Sequence, residues 1–299
     1  AEKVSVERIK NLQKKEVTGL VERRLVELNL GFGIGLRRSH YNEILKSSEL
    51  PDWFEVLSEN VIDYGGKTKS VLDYLFEKNI PVINHGVGLN LGGPDDFDEG
   101  YLELLEAWIN NYKPLWFSDH LCFSALKVHQ YHDLLPIMKN EKSLGTITDK
   151  IKKLEDRFQI PFAFENISYY GESKHSQYSE LEFINSILDK TESFLLLDIN
   201  NIYVNEKNLN HNAQAFIDGI DLQRVIQVHL AGHWDRGDIV IDTHGSEVNE
   251  DVFELYKYFL KKRKAPVSTL IEWDNNVPSL AAVMAQAQKA KIISNEVFK

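Results

Sequence analysis

Two patterns alternate along the chain from Gly31 onward. Short, dense apolar runs occupy residues 32–36, 53–57, 81–91, 115–123, 161–167, 194–204, 225–230 and 268–273. Several are almost unbroken, as in Phe194-Leu195-Leu196-Leu197, which is the pattern of parallel strands buried on both faces. Between them lie amphipathic stretches at 69–78, 101–111, 144–158, 180–189 and 252–262. Their apolar positions recur at three and four, as in Leu181, Ile184, Ile187 and Leu188, which predicts helices. Eight strand-then-helix units fit a closed (β/α)8 barrel, a TIM barrel of roughly 250 residues, better than an open doubly wound sheet. No glycine-rich phosphate loop of either nucleotide-binding type is present. Residues 1–30 precede the first unit and predict one or two helices with Ile9, Leu12, Leu20, Leu25 and Leu28 on one face. The expected organisation is therefore an N-terminal helical extension, 1–30, and one α/β barrel domain, 31–299.

Composition narrows the partners. The chain has 299 residues, 43% of them hydrophobic, enough for a substantial core. Its 34 Lys and Arg against 45 Asp and Glu give a net charge of −11, which argues against a surface that grips nucleic acid. A single cysteine, Cys122, excludes an intrachain disulfide framework and a thiolate zinc knuckle, and suits a reducing cytoplasm. No stretch approaches the ~20 apolar residues of a membrane helix, and the first thirty residues mix charge with hydrophobe unlike a signal peptide. A soluble cytoplasmic protein is expected, with no membrane or nucleic-acid partner.

In such a barrel the C-terminal strand ends converge on one mouth. Reading those ends in order gives His85, then Asp119 and His120, then Glu165 and Asn166. Asp198, Asn200 and Asn201 follow, then His229 and His233, and Asp242 and His244 in the next loop. Glu272 and Asp274 come last. Any one has a plain alternative, since a strand-end Asp often caps a helix and a lone His is often only hydrogen-bonded. Taken together, Glu165, Asp198, Asp242 and Glu272 in one low-dielectric mouth would repel unless protonated or matched by cations. Divalent metals with imidazole co-ligands resolve this. The predicted arrangement has Glu165 bridging a metal held by His85 and His120 to a second held by Asp198, His229 and Glu272. Asn201, Asp242 and His244 would hold a third. With oxygen and nitrogen donors only, iron, manganese and zinc all remain open.

At these residues the sequence resembles the multinuclear non-haem iron-dependent oxidase family, methanobactin-biosynthesis-oxidase-like, within the xylose isomerase-like barrels. The resemblance spans about residues 31–280 and rests on an ordered set of motifs. The first are Gly35-Leu36-Arg37 with His40-Tyr41, Pro51-Asp52-Trp53-Phe54-Glu55 with Glu59-Asn60, and His85-Gly86-Val87-Gly88-Leu89. Ser118-Asp119-His120, His132-Asp133-Leu134-Leu135-Pro136, Glu165-Asn166 and Leu197-Asp198-Ile199-Asn200-Asn201 come next. His229-Leu230-Ala231-Gly232-His233, Asp242-Thr243-His244-Gly245 and Ile271-Glu272-Trp273-Asp274 complete it. The pattern also resembles the trinuclear zinc endonucleases, where a histidine usually stands at the position of Asn201; asparagine there leans toward the oxidases. The resemblance implies two or three iron ions, Fe2+ or Fe3+, dioxygen as co-substrate and a cysteine thiolate of a ribosomally made precursor peptide as substrate. A separate protein that binds the peptide's leader is the implied partner. Glu165, Asp198 and Asn201 are the expected catalytic positions.

Other polar residues receive lesser expectations. Asp119 is expected to orient a ligand histidine, and Asn166 and His233 to sit at the rim or behind the ligands, with a purely structural role as the alternative. His40 and Glu59 could meet substrate, although loop hydrogen bonding is favoured. His129 and His132 are placed on a loop folding over the mouth, where they would meet peptide. His175 and His211 read as exposed loop residues, Cys122 as a buried inert thiol, and the basic run at 261–264 as a helix C-terminus. The competing functions are a metal-dependent hydrolase of endonuclease or phosphodiesterase type, a sugar isomerase, and an inactive barrel kept as a scaffold. The acidic balance argues against the first and the intact ligand set against the last.

Overall fold

A computed structural model describes residues 28–299, apart from residues 127–128 and the side chains of Gln130 and His132. Eight parallel strands close into a barrel in sequence order: β1 (Phe32–Gly35), β2 (Trp53–Leu57), β3 (Val82–Gly86), β4 (Phe117–His120), β5 (Phe162–Glu165), β6 (Phe194–Asp198), β7 (Val225–Ala231) and β8 (Ser268–Glu272). β8 pairs back onto β1 through Thr269 with Phe32, Leu270 with Gly33 and Ile271 with Ile34, so the barrel has no open edge. Each of the eight runs yields one strand.

The five expected helices form as Gly66–Glu77, Glu99–Tyr112, Glu141–Arg157, Glu180–Lys190 and Glu250–Arg263. Ser179 and Glu182 build a capping box at the fourth, and a left-handed Lys264 ends the fifth. The predicted extension lies outside the described residues except for its last positions. There Leu28 and Leu30 pack against the bottom of the barrel, and Ser268 Oγ accepts from the Leu30 amide at 3.0 Å.

Two apolar runs are longer than the strands they contain. The run at 81–91 stops being strand at Gly86 because the chain turns over the barrel mouth, its Leu89 amide donating to Asp119. The run at 194–204 divides at Asp198, which N-caps a helix, Ile199–Leu209, by accepting from the Asn201 amide at 2.7 Å. This helix was hidden because its buried face continues the apolar run, and its short neighbour Ala213–Gly219 because only Ala213 and Ile217 of it are buried. Residues expected as a loop over the mouth form an antiparallel hairpin, Phe123–Leu126 with His129–Leu135.

Inside the barrel, side chains alternate every second residue and change character with height. Trp53, Ile83, Trp116, Ala163, Phe194, Leu196 and Leu270 make a lower apolar layer. Two residues further along the same strands stand Glu55, His85, Ser118, Glu165, Asp198 and Glu272, all buried. Gly33 serves the lower layer: a Cβ there would stand 2.4 Å from the Trp53 ring. The lower layer is therefore apolar packing, and the upper one gathers the buried ionisable side chains. Leu196→Ala is expected to lower the unfolding free energy by about 3 kcal/mol in urea titrations while leaving metal content unchanged.

Candidate metal centre

The upper layer brings most of the expected ligands into contact. On neighbouring strands His120 lies in register with Glu165 and Asp198 with His229. Glu165 Oε2 lies 2.9 Å from His85 Nε2 and 3.1 Å from His120 Nε2, and those two nitrogens are 3.3 Å apart. Its other oxygen lies 3.3 Å from His229 Nδ1, which is 2.9 Å from Glu272 Oε2. That Glu272 oxygen is in turn 3.2 Å from His244 Nδ1. Donor atoms cluster within ion-binding distance in three groups: His85, His120 and Glu165; Glu165, Asp198, His229 and Glu272; and His244, Glu272 and Asp274. Glu165 belongs to the first two, as a bridging carboxylate must.

The third group differs from the expected set. Asp242 Oδ1 does face His244 Nε2 at 2.8 Å, but its oxygens also accept from Asn200 and Ser168 at 2.9 Å each. Asp274 Oδ2, 3.3 Å from His244 Nδ1, is the carboxylate that groups with the His244 and Glu272 donors, and it is paired with Arg37. Asn201 donates its amide to the Asn166 carbonyl at 3.0 Å, which leaves its oxygen free. His244 carries a left-handed backbone, φ 44°, an uncommon state for a residue without a glycine's freedom.

A metal fits this constellation on one observation above all. Glu165 Oε2, Asp198 Oδ2, Asn201 Oδ1, His229 Nδ1 and His244 Nε2 are buried and make no hydrogen bond. Orphaned buried polar atoms are rare and costly; five on one rim, each able to donate a lone pair, suit divalent cations. The other edges of the strand-borne imidazoles are held. His85 Nδ1 lies 2.9 Å from Ser118 Oγ, and His120 Nδ1 donates to the Gly86 carbonyl at 2.9 Å.

The charges are tightly coupled. Burial alone would push the Glu165 carboxyl up, but the His120, His229 and His85 imidazoles outweigh it and hold Glu165 below the usual carboxylate range. Burial lowers His85, yet the Glu165 charge prevails and raises it to about 9. His120 is lowered by burial, which Glu165 only partly offsets. Burial drives Asp198 well above its ordinary value against the pull of His244, with Glu165 and Asp242 adding to the rise.

The remaining expected residues serve the frame. Asp119 accepts from the Leu89 and His120 amides at 3.0 and 2.8 Å, so it fixes backbone and touches no imidazole. Asn166 exchanges two hydrogen bonds with the backbone of Asp198, at 2.9 and 3.0 Å. His233 Nδ1 donates to Asn200 Oδ1 at 2.8 Å and stacks on Tyr203. His40 is buried and donates to the Pro278 carbonyl at 2.7 Å, a hydrogen bond between the loops that follow β1 and β8. The His132 side chain lies outside the described residues. Cys122 is fully buried, and burial raises its thiol far above the ordinary value. Sequence reasoning gave no role to Glu55, Gln227 and Arg37. Glu55 had a readable signal, a lone acid within an apolar parallel strand.

Above the centre opens a cavity of about 890 Å3 whose floor includes His120, Asn201, His244 and Glu272. The hairpin residues Tyr131, Leu134 and Leu135 line one side, and Ser168, Tyr169 and Tyr170 another. Its acids include Glu59, Asp98, Asp133, Asp242 and Asp274, and among the described lining residues none is lysine or arginine.

Among solved structures, endonuclease IV from Thermus thermophilus superposes with a TM-score of 0.57 at 14% identity, covering 90% of this chain and 99% of the other. A D-psicose 3-epimerase does so with 0.56 at 12%, covering 89% and 98%. At such identities these likenesses establish the TIM-barrel fold alone. A UPF0276 protein of Anaeromyxobacter sp. (strain Fw109-5) is 36% identical over 261 residues, 87% of this chain and 92% of the relative. One from Rhizorhabdus wittichii is 37% identical over 267 residues, 88% and 95%. Residues 31–295 match the family described as RiPP precursor modification enzyme MbnB/TglH/ChrH. The chain belongs to that family of precursor-modifying enzymes.

Proposed function

We propose that this protein is a multinuclear iron-dependent oxidase that uses dioxygen to modify cysteine residues of a ribosomally made precursor peptide. The observation that carries the reading is the set of five orphaned lone-pair atoms, of which those of Asn201 and His244 belong to residues lining a cavity large enough for a peptide side chain. Family membership supplies the precursor as substrate class. Bound iron would supply the redox chemistry and a site for a soft thiolate. His85, His120 and Glu165 would hold one ion, and Glu165, Asp198, His229 and Glu272 a second. His244 would hold a third, with Asp242 and Asn201 or with Glu272 and Asp274.

The protein's own contribution is orientation and exclusion of water. The hairpin and the Ser168–Tyr169–Tyr170 segment would enclose the peptide, and the barrel below is buried down to Trp53 and Trp116. A partner protein that holds the leader would present the cysteine to this mouth. A phosphodiesterase on the same scaffold would need cations to meet its substrate, and the acidic cavity lining disfavours it. No helix of the described residues is long and apolar enough to cross a membrane.

Anaerobic purification, metal analysis and Mössbauer spectroscopy test the proposal directly. Ferrous iron that is oxidised only when a cysteine-containing precursor peptide and dioxygen are both present is the expected result. Zinc alone after reconstitution with excess ferrous iron, with no dioxygen consumed, would sink it. Glu165→Gln is expected to lower occupancy by about two ions and His244→Ala by about one, measured as metal per chain; equal losses would refute the bridge. Metal binding also has a predicted pH slope. His85, raised to about 9, is protonated in the metal-free protein at neutral pH and must lose that proton to ligate. Affinity should therefore rise with pH by about tenfold per unit for each displaced proton, flattening above about 9; calorimetry in buffers of different ionisation enthalpy counts the protons.

A further inference from the structure

Glu55 stands in the middle of β2, behind the His229 ring, and is only 2% exposed. A carboxyl group buried this deeply is costly unless it is paired. Its Oε2 lies 3.1 Å from His229 Nε2 and accepts from the Gln227 side-chain amide. Trp116 Nε1, which can only donate, gives its hydrogen to Gln227 Oε1 at 2.8 Å and so turns the Gln227 NH2 toward Glu55. On the opposite edge of the same ring, His229 Nδ1 faces Glu272 and Glu165 and has no hydrogen-bond partner. His85 and His120 have a hydroxyl and a carbonyl behind them; of the three strand-borne imidazoles, only His229 has a carboxylate there.

We infer that Glu55 is a positioning residue that keeps the His229 proton on Nε2 and thereby presents Nδ1 as the metal donor. This rests on the metal-centre reading proposed above. A neutral imidazole has one proton for two nitrogens, and a carboxylate behind Nε2 draws it there, fixes the ring plane and makes Nδ1 the better donor. Gln227 Nε2 also lies 2.8 Å from His229 Nε2. If that amide instead donated to a bare Nε2, the proton would sit on Nδ1 and His229 would be lost as a ligand, so the two arrangements are distinct.

Two measurements decide between them. The first is equilibrium dialysis of wild-type, Glu55→Gln and Glu55→Asp proteins against cobalt(II), with circular dichroism to establish folding. Glu55→Gln should weaken one cobalt by about ten- to a hundredfold while another, held by His85 and His120, keeps its wild-type affinity, and Glu55→Asp should recover part of the loss. Unchanged binding, or equal weakening of every site, would overturn the positioning role. Wild-type protein that takes up no cobalt would overturn the metal-centre reading and this inference with it. The second needs no variant: nitrogen-detected NMR of zinc-loaded protein labelled at histidine should show His229 protonated at Nε2, and a proton on Nδ1 would refute the proposal even if Glu55→Gln failed to fold.

Discussion

A carboxylate cannot be buried alone, and Glu165 is buried at the end of β5 with three imidazoles around it. Removing an ion of that size from water costs several kcal/mol even after relaxation, so its neighbours must compensate it. The His120, His229 and His85 imidazoles do so in the metal-free protein, and cations would add to it. The strand registers are set around this requirement. A shift of one residue in β4 or β5 would turn His120 or Glu165 out of the barrel and leave the other charge unmatched.

The same constraint explains the division of the barrel by height. Trp53, Trp116, Leu196 and Leu270 provide apolar burial that offsets the cost of the polar layer above them. The seam between the layers is Glu55 with Gln227, where an acid and an amide saturate one another beneath His229. On the rim, Asp119, Asn166 and Asn200 direct their hydrogen bonds to backbone and neighbouring side chains, so the ligand-bearing strand ends are braced by groups that keep no lone pair toward the mouth.

The eight strands were legible because parallel strands covered on both faces leave dense apolar runs. Their ends were less so. Leu89 and Leu91 beyond β3, and Ile199, Ile202 and Val204 beyond β6, are buried by packing that follows the strand, and composition does not change where the backbone turns. His85, His120, Glu165, Asp198, His229 and Glu272 could be gathered in advance because strand ends of a barrel must meet. The third group was harder because His244, Asp242 and Asp274 lie on loops, whose direction no periodicity records. His40 shows the plainer outcome: it follows β1 in the sequence, and its ring makes a loop hydrogen bond to the Pro278 carbonyl. The metal's identity is not written in oxygen and nitrogen donors at all, and no spacing of them separates iron from manganese or zinc.

Tyr170 has a place in two structures at once. Its ring forms part of the cavity wall, half exposed to an incoming chain, while its hydroxyl accepts from the Asp242 amide at 3.0 Å, two residues before His244. A peptide that presses the ring aside must stretch that hydrogen bond and tug on a loop whose backbone is already held in a strained turn. Occupancy of the cavity and the posture of the His244 loop thus share one mechanical degree of freedom.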